Sequence, residues 1–214
     1  MLILLFYSII CETIYFKDKN KLTINDVYAK MHNNEIITAD VIIENINIIG
    51  ANAFFGCEIL KSISISSSVE SIEINAFYEC SKLEKISFGE ESNLTTIGEY
   101  AFFDCEVLKS ISIPSSVKSI GIFSFSICLN LTNVLFEEES KLKKIEESTF
   151  NGCSELKSIS IPSSVKSIGK KAFNNCGKLE IISFGEESNL TIIEESAFEI
   201  CAKLKSISFP SSVE

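Results

Sequence analysis

The 214-residue sequence predicts an α/β repeat solenoid, with a parallel β-sheet on its concave face and short helical turns on its convex side. Three observations carry this reading. The only prolines, Pro114, Pro162 and Pro210, stand 48 residues apart. Seven cysteines, Cys57, Cys80, Cys105, Cys128, Cys153, Cys176 and Cys201, recur at alternating intervals of 23 and 25 residues. Three residues before each stands a phenylalanine: Phe54, Phe77, Phe102, Phe125, Phe150, Phe173 and Phe198. Self-similarity at a fixed period marks stacked supersecondary units.

The elements of one unit follow in order. Three residues after each cysteine comes a leucine: Leu60, Leu83, Leu108, Leu131, Leu156, Leu179 and Leu204. An alternating apolar pair comes next, such as Ile63/Ile65, Ile86/Phe88 or Ile111/Ile113. Its period of two predicts a short strand with one buried face. A loop, a Val or Leu and an Ile then lead to a small residue before the phenylalanine, as in Val117, Ile120 and Ser124. Apolar residues three and four apart around this A-F-x-x-C segment predict a helical turn on the side opposite the strand. So short a unit cannot bury its own apolar residues, but stacking turns each position into an internal column. The loop alternates between Pro-Ser-Ser, as at Pro114–Ser116, and an acidic form, as at Gly89–Ser92 and Glu137–Ser140. The two extra residues of the acidic form fall in the loop and leave the columns in register.

The strings LKSISIPSSVKSIGKKAFNNC (156–176) and LKSISIPSSVKSIG (108–121) resemble the BspA-like leucine-rich-repeat family, also called the Treponema pallidum type. The resemblance recurs seven times over roughly residues 46–214. It implies a leucine-rich-repeat horseshoe and a binding role: adhesion to host cells, matrix proteins or other microbes. It supplies no catalytic residues.

Composition narrows the partners. A net charge of −10 and a pI near 4.8 disfavour nucleic acid and anionic membrane surfaces. The apolar fraction of 46% suffices for a sizeable core. Residues 1–15 read either as a secretory leader, from the apolar run MLILLFYSII, or as a buried N-terminal strand. That run is too short to span a bilayer. Residues 16–45 read as an N-terminal cap, and 46–214 as a solenoid of about seven coils with no C-terminal cap. The last coil is then expected to expose apolar side chains and a strand edge, which self-association or further coils of a longer protein would cover.

Chemistry finds little support. The cysteines form one column, which reads as small buried hydrophobes rather than disulfides, since seven in a row cannot all pair. No C-x-x-C pair supplies zinc ligands, and no cofactor is implied. His32 is the sole histidine. No G-x-S-x-G or phosphate-binding glycine loop occurs. The acidic runs Glu90-Glu91, Glu137–Glu139 and Glu186-Glu187 read as solvated loops rather than calcium ligands.

The candidate binding surface is the outward face of the strands. It comprises Ser62, Ser64, Lys85, Ser87, Ser110, Ser112, Asn133, Leu135, Ser158, Ser160, Ile181, Ser183, Ser206 and Ser208. This serine-rich strip is either a contact surface or simply a soluble, closely stacking one. Beside it runs a column of mostly alternating sign, Lys61, Glu84, Lys109, Thr132, Lys157, Glu180 and Lys205, read as structural. Asn93, Asn130 and Asn189 head N-glycosylation sequons, usable if the chain enters the secretory path. The leading expectation is a secreted or cell-surface protein that binds a protein or glycan on another cell or matrix. The alternative is an intracellular scaffold, favoured by unpaired thiols.

Overall fold

A computed structural model describes residues 11–31 and 38–213. The apolar run 1–10 and His32 lie outside the described residues. The chain opens with strand β1 (Cys11–Leu22), helix α1 (Ile24–Met31) and strand β2 (Thr38–Ile49). Twelve short strands follow: β3 (Leu60–Ile65), β4 (Ser71–Ile72), β5 (Lys85–Phe88), β6 (Thr96–Ile97), β7 (Ser110–Ile113), β8 (Ser119–Ile120), β9 (Asn133–Phe136), β10 (Lys144–Ile145), β11 (Ser158–Ile161), β12 (Ser167–Ile168), β13 (Ile181–Phe184) and β14 (Ile192–Ile193).

Each coil contributes one longer and one shorter strand, and like pairs with like in parallel. The longer strands form one ladder from the apolar alternating pairs, in two bonded runs, β2–β3–β5 and β7–β9–β11–β13. The shorter ones form a second ladder, from the segment between the Val or Leu and the Ile of each unit, in the runs β2–β4–β6–β8 and β10–β12–β14. The two ladders meet at β2, whose first half pairs with β3 and whose last residues pair with β4. Strand β1 lies along the whole of β2. A one-residue slip would turn the isoleucines outward, so the buried face fixes the register.

The interior follows the sequence columns. Phe54, Phe77, Phe102, Phe125, Phe150, Phe173 and Phe198 stack as parallel rings, with centroids 4.9 to 5.5 Å apart. That spacing is slightly longer than the separation of paired strands, so rings and backbone stack in step. Cys80, Cys105, Cys128, Cys153 and Cys176 are buried, while Cys57 and Cys201 are half-buried; all seven are free thiols. Each thiol from Cys80 onward donates to the carbonyl of a column phenylalanine one coil earlier, as Cys80 does to Phe54 at 3.1 Å and Cys128 to Phe102 at 3.2 Å. The cysteine column thus adds a second donor to carbonyls such as that of Phe54, which already accepts the Cys57 amide at 3.1 Å within its own turn.

The expected helical turns are absent, which corrects the sequence reading. Among the described residues the only helix is α1. The A-F-x-x-C segments are instead runs of tight turns. The residue before the small one and the residue before the cysteine both take positive φ, as Asn52 (56°) and Gly56 (62°) show. Hydrogen bonds alternate accordingly. Ala53, Phe55 and Cys57 donate back three residues within their own coil, to Gly50, Asn52 and Phe54. Between them Asn52, Phe54 and Gly56 donate across to Ile74, Ala76 and Tyr78 of the next coil. A helix would direct every donor along its own axis. Here every second donor is spent on stacking. Positive φ costs a non-glycine residue roughly 1–2 kcal/mol, and the inter-coil bonds hold it in place.

The N-terminal segment packs on the first repeat. Phe16 meets Phe54 edge-on at 6.0 Å, and Ile14, Leu22 and Val27 are buried. Helix α1 starts at a reciprocal cap: the Thr23 amide and hydroxyl donate to the Asp26 carboxylate, and the Asp26 amide donates to the Thr23 hydroxyl. At the other end Phe209 is 46% exposed, and Leu204 and Ile207 are half-buried.

Candidate functional site

The solenoid presents three outer surfaces: the long-strand face, the short-strand face and the turn face. On the long-strand face the serine strip is in lateral register, with Ser62 opposite Lys85 and Ser64 opposite Ser87. Likewise Ser110 lies opposite Asn133, Ser112 opposite Leu135, Ser158 opposite Ile181 and Ser160 opposite Ser183. Ser62, Ser87 and Ser112 are half-exposed, and the remaining strip residues are exposed. Ser206 and Ser208 lie on the last coil, where no strand is formed. Several hydroxyls are used internally: Ser87 donates to Ser64 at 3.1 Å, and Ser62 donates to Asp40. The two apolar members stand proud, Leu135 at 56% and Ile181 at 61% exposure.

The alternating charge column beside the strip is built by backbone bonds from Glu84 to Lys61, Thr132 to Lys109 and Glu180 to Lys157. Its side chains remain exposed. Glu180 pairs with Lys203 at 3.5 Å rather than with a column neighbour. Asn93, Asn130 and Asn189 are all exposed, and Asn189 Nδ2 donates to the Ser163 carbonyl at 2.9 Å.

The turn face carries a feature the sequence reading missed. Phe55, Tyr78 and Phe103, each following a column phenylalanine, form a second stack outside the core. Phe55 lies 4.9 Å from Tyr78, and Tyr78 lies 4.9 Å from Phe103, with rings within 10° of parallel. Tyr100 and Phe123, at the positive-φ positions, stack beside them at 5.0 Å. Phe55 is 46% exposed and the other four are half-buried. Glu79, Glu99 and Asp104 border the patch. Burial, reinforced by the Glu79 and Asp104 carboxylates, raises the Tyr78 phenol above its ordinary pKa. The signal was present in the doublets Phe54-Phe55, Phe77-Tyr78 and Phe102-Phe103, but only their first members were placed.

A family model for the BspA type leucine-rich-repeat region matches residues 25–141 and 135–214 in six copies. The chain belongs to the BspA type leucine-rich-repeat family. No curated protein matches it. Among solved structures, the pneumococcal vaccine antigen PcpA is similar with a TM-score of 0.64 and 21% identity, over 95% of this chain and 64% of that one. The chain therefore spans just under two thirds of that antigen. The Treponema pallidum leucine-rich-repeat protein is similar with a TM-score of 0.53 and 23% identity, over 78% of each chain. At these identities the likeness establishes the fold alone.

Among the described residues no group of three or more His, Cys, Asp or Glu is placed to hold a metal, and no helix is long and apolar enough to cross a membrane. The buried thiols of Cys80, Cys105, Cys128 and Cys153 are poor nucleophiles. Burial pushes Cys128 up to about 12 and raises Cys80, Cys105 and Cys153 well above the ordinary range.

Proposed function

We propose that this chain is the binding module of a secreted or cell-surface protein, which attaches to a host cell, matrix or another microbe by side contacts along the solenoid. The observation that carries the reading is the outer aromatic stack. Phe55, Tyr78 and Phe103 occupy a column whose later members are Ser126, Asn151 and Asn174. The same turn forms with either set, so the fold does not require exposed rings there. Exposed aromatic clusters that folding does not require are the usual anchors of protein contacts. Leu135 and Ile181 give the long-strand face a smaller share of the same character.

The five buried thiols do not argue against an oxidising location. A thiol buried against a carbonyl and held protonated resists oxidation wherever it resides. The family, with its association with adhesion, and three exposed sequon asparagines support the extracellular reading over an intracellular scaffold.

The test replaces Phe55, Tyr78 and Phe103 together with Ser, Asn and Asn and measures binding of the purified protein to epithelial cells and to matrix-coated wells. Binding should fall at least about tenfold while the far-UV circular dichroism stays unchanged. Unchanged binding would remove the aromatic stack from the proposal. Antibody labelling of unpermeabilised source cells tests location: surface staining is expected, and staining only after permeabilisation would shift the reading to the scaffold.

A further inference from the structure

On the short-strand face three successive coils carry like charge at one position. Lys118, Lys143 and Lys166 occupy the same position in three successive coils; the Lys166 amide donates to the Lys143 carbonyl at 2.8 Å, and the Lys118 amide to the Thr95 carbonyl at 2.9 Å. Lys141 lies two residues before Lys143, and Lys144 lies one after it. Lys118, Lys141, Lys143 and Lys166 are exposed, and among the described residues none of the four has a carboxylate within ion-pair reach. Only Lys144 is paired, with Glu146 at 3.0 Å and Glu194 at 3.5 Å.

Neighbouring positions on paired strands lie about 5 Å apart, where like charges destabilise. The column on the long-strand face avoids that arrangement: it runs Lys61, Glu84, Lys109, Thr132, Lys157, Glu180, Lys205, so no two lysines adjoin. Where two lysines do adjoin on the turns, Lys178 and Lys203, each is ion-paired, with Glu155 at 2.7 Å and with Glu180 at 3.5 Å. The Lys118–Lys143–Lys166 column is also dispensable to the fold, because Thr95 and Thr191 fill the same position in the coils on either side.

We propose that this lysine column is a docking stripe for an acidic polysaccharide, laid along the solenoid axis. The inference rests on the extracellular reading above and names a partner class for it. The surroundings select the occupant. The flanks are acidic in alternate coils: the loops at Glu90-Glu91, Glu137–Glu139 and Glu186-Glu187 lie before the column position and Glu146, Glu147, Glu194 and Glu195 after it, whereas the Lys118 and Lys166 coils carry Pro-Ser-Ser loops before it and Ile122 or Lys170-Lys171 after it. A cationic stripe with acid on both flanks at every second coil favours a narrow polyanion over a broad one, such as a duplex or a charged membrane. No aromatic side chain lies on the stripe to stack a base, which disfavours single-stranded nucleic acid. Ser119, Ser167 and Thr191 place hydroxyls beside the lysines, where ring hydroxyls of a sugar chain would lie. The net charge of −10 does not preclude this, because at about 0.15 M salt charges beyond roughly 8 Å are largely screened.

The test measures retention of the purified chain on immobilised heparin, as a sulfated polysaccharide, at about 0.1 M salt. Two triple variants carry the same charge change: K118T/K143T/K166T on the stripe, and K61T/K109T/K157T on the alternating column. Threonine already occupies both columns, so both variants should fold, and thermal unfolding checks that. The native chain and the second variant should be retained, and the first should bind about tenfold more weakly. No retention of the native chain, or equal loss in both variants, would overturn the stripe. Stripe-dependent binding to phosphatidylserine vesicles without retention on heparin would also overturn it, in favour of a lipid surface. Failure here leaves the aromatic-stack variant's effect on cell binding as it was. Staining only after permeabilisation would overturn the location while the heparin result stood.

Discussion

The turn face compares two halves built on one backbone. In the Cys57, Cys80 and Cys105 coils the outer column reads Phe55, Tyr78, Phe103; in the next four it reads Ser126, Asn151, Asn174, Glu199. The inter-coil bonds do not notice. The Phe54 amide reaches the Ala76 carbonyl at 2.7 Å in the aromatic half, and the Phe173 amide reaches the Ala197 carbonyl at 2.8 Å in the polar half. One residue inward the column is phenylalanine throughout. The fold is therefore specified by the inner ring of each doublet, and the outer ring is free to serve binding.

The sharpest way to break that division is to exchange the two rings of one doublet for small residues. Phe102→Ala empties a fully buried site stacked on Phe77 and Phe125, at 4.9 and 5.2 Å, and should cost about 3–5 kcal/mol in urea unfolding. Phe103→Ser loses one half-exposed stacking contact and should cost about 1 kcal/mol. Equal costs would mean that the outer stack is structural. The cysteine column gives the next largest effect. A thiol whose pKa is raised by folding stabilises the native state below the unfolded value of 9.0, and that contribution is lost as pH rises toward the folded value, about 12 for Cys128. Stability should fall by about 1.4 kcal/mol per pH unit per buried thiol above about pH 9, measured as the urea midpoint against pH. Cys128→Ala should flatten that slope, whereas replacing outer-ring residues should not.

The inner columns were legible in sequence because each position recurs seven times and every recurrence must meet its copy. Strand pairing, register and the buried Phe, Cys, Leu and Ile columns follow from that repetition. The turn backbone was not legible. Spacings of three and four arise from a helix and equally from consecutive tight turns, and positive φ at Tyr100, Phe123, Ile127 and Ile200 has no signature in those residue types. Gly56 and Gly152, with Asn52, Asn75, Asp104 and Asn175, hinted at it. The binding surfaces were legible in part: the serine strip follows from alternation, whereas the outer aromatics and the lysine column show only when coils are laid side by side.

Gly152 tests the turn backbone directly. Its φ is +76°, and a Cβ there would meet Ile127 no closer than 3.6 Å, so space is available and only the backbone objects. Gly152→Ala should cost about 1 kcal/mol. Gly177→Ala, which has open space and no positive φ, should change stability by less than about 0.5 kcal/mol. A helical turn would instead make alanine stabilising at Gly152.

The smallest effect concerns the small residue before each column phenylalanine. Alanine fills that position in five of the seven coils, Ser124 and Thr149 in the others, and all are buried. The Thr149 hydroxyl donates to the Glu146 carbonyl at 2.9 Å, whereas the Ser124 hydroxyl is buried without a partner. Desolvating an unpaired hydroxyl costs about 1 kcal/mol or more. Ser124→Ala should therefore raise stability by roughly 0.5–1 kcal/mol, a gain of a few degrees in thermal midpoint, with Thr149→Ala neutral or destabilising. The sign matters more than the size. If both substitutions destabilise, the column tolerates hydroxyls for reasons of packing. If only Ser124→Ala stabilises, the inner columns are set by burial and hydrogen-bond satisfaction, the constraints from which the outer face is released.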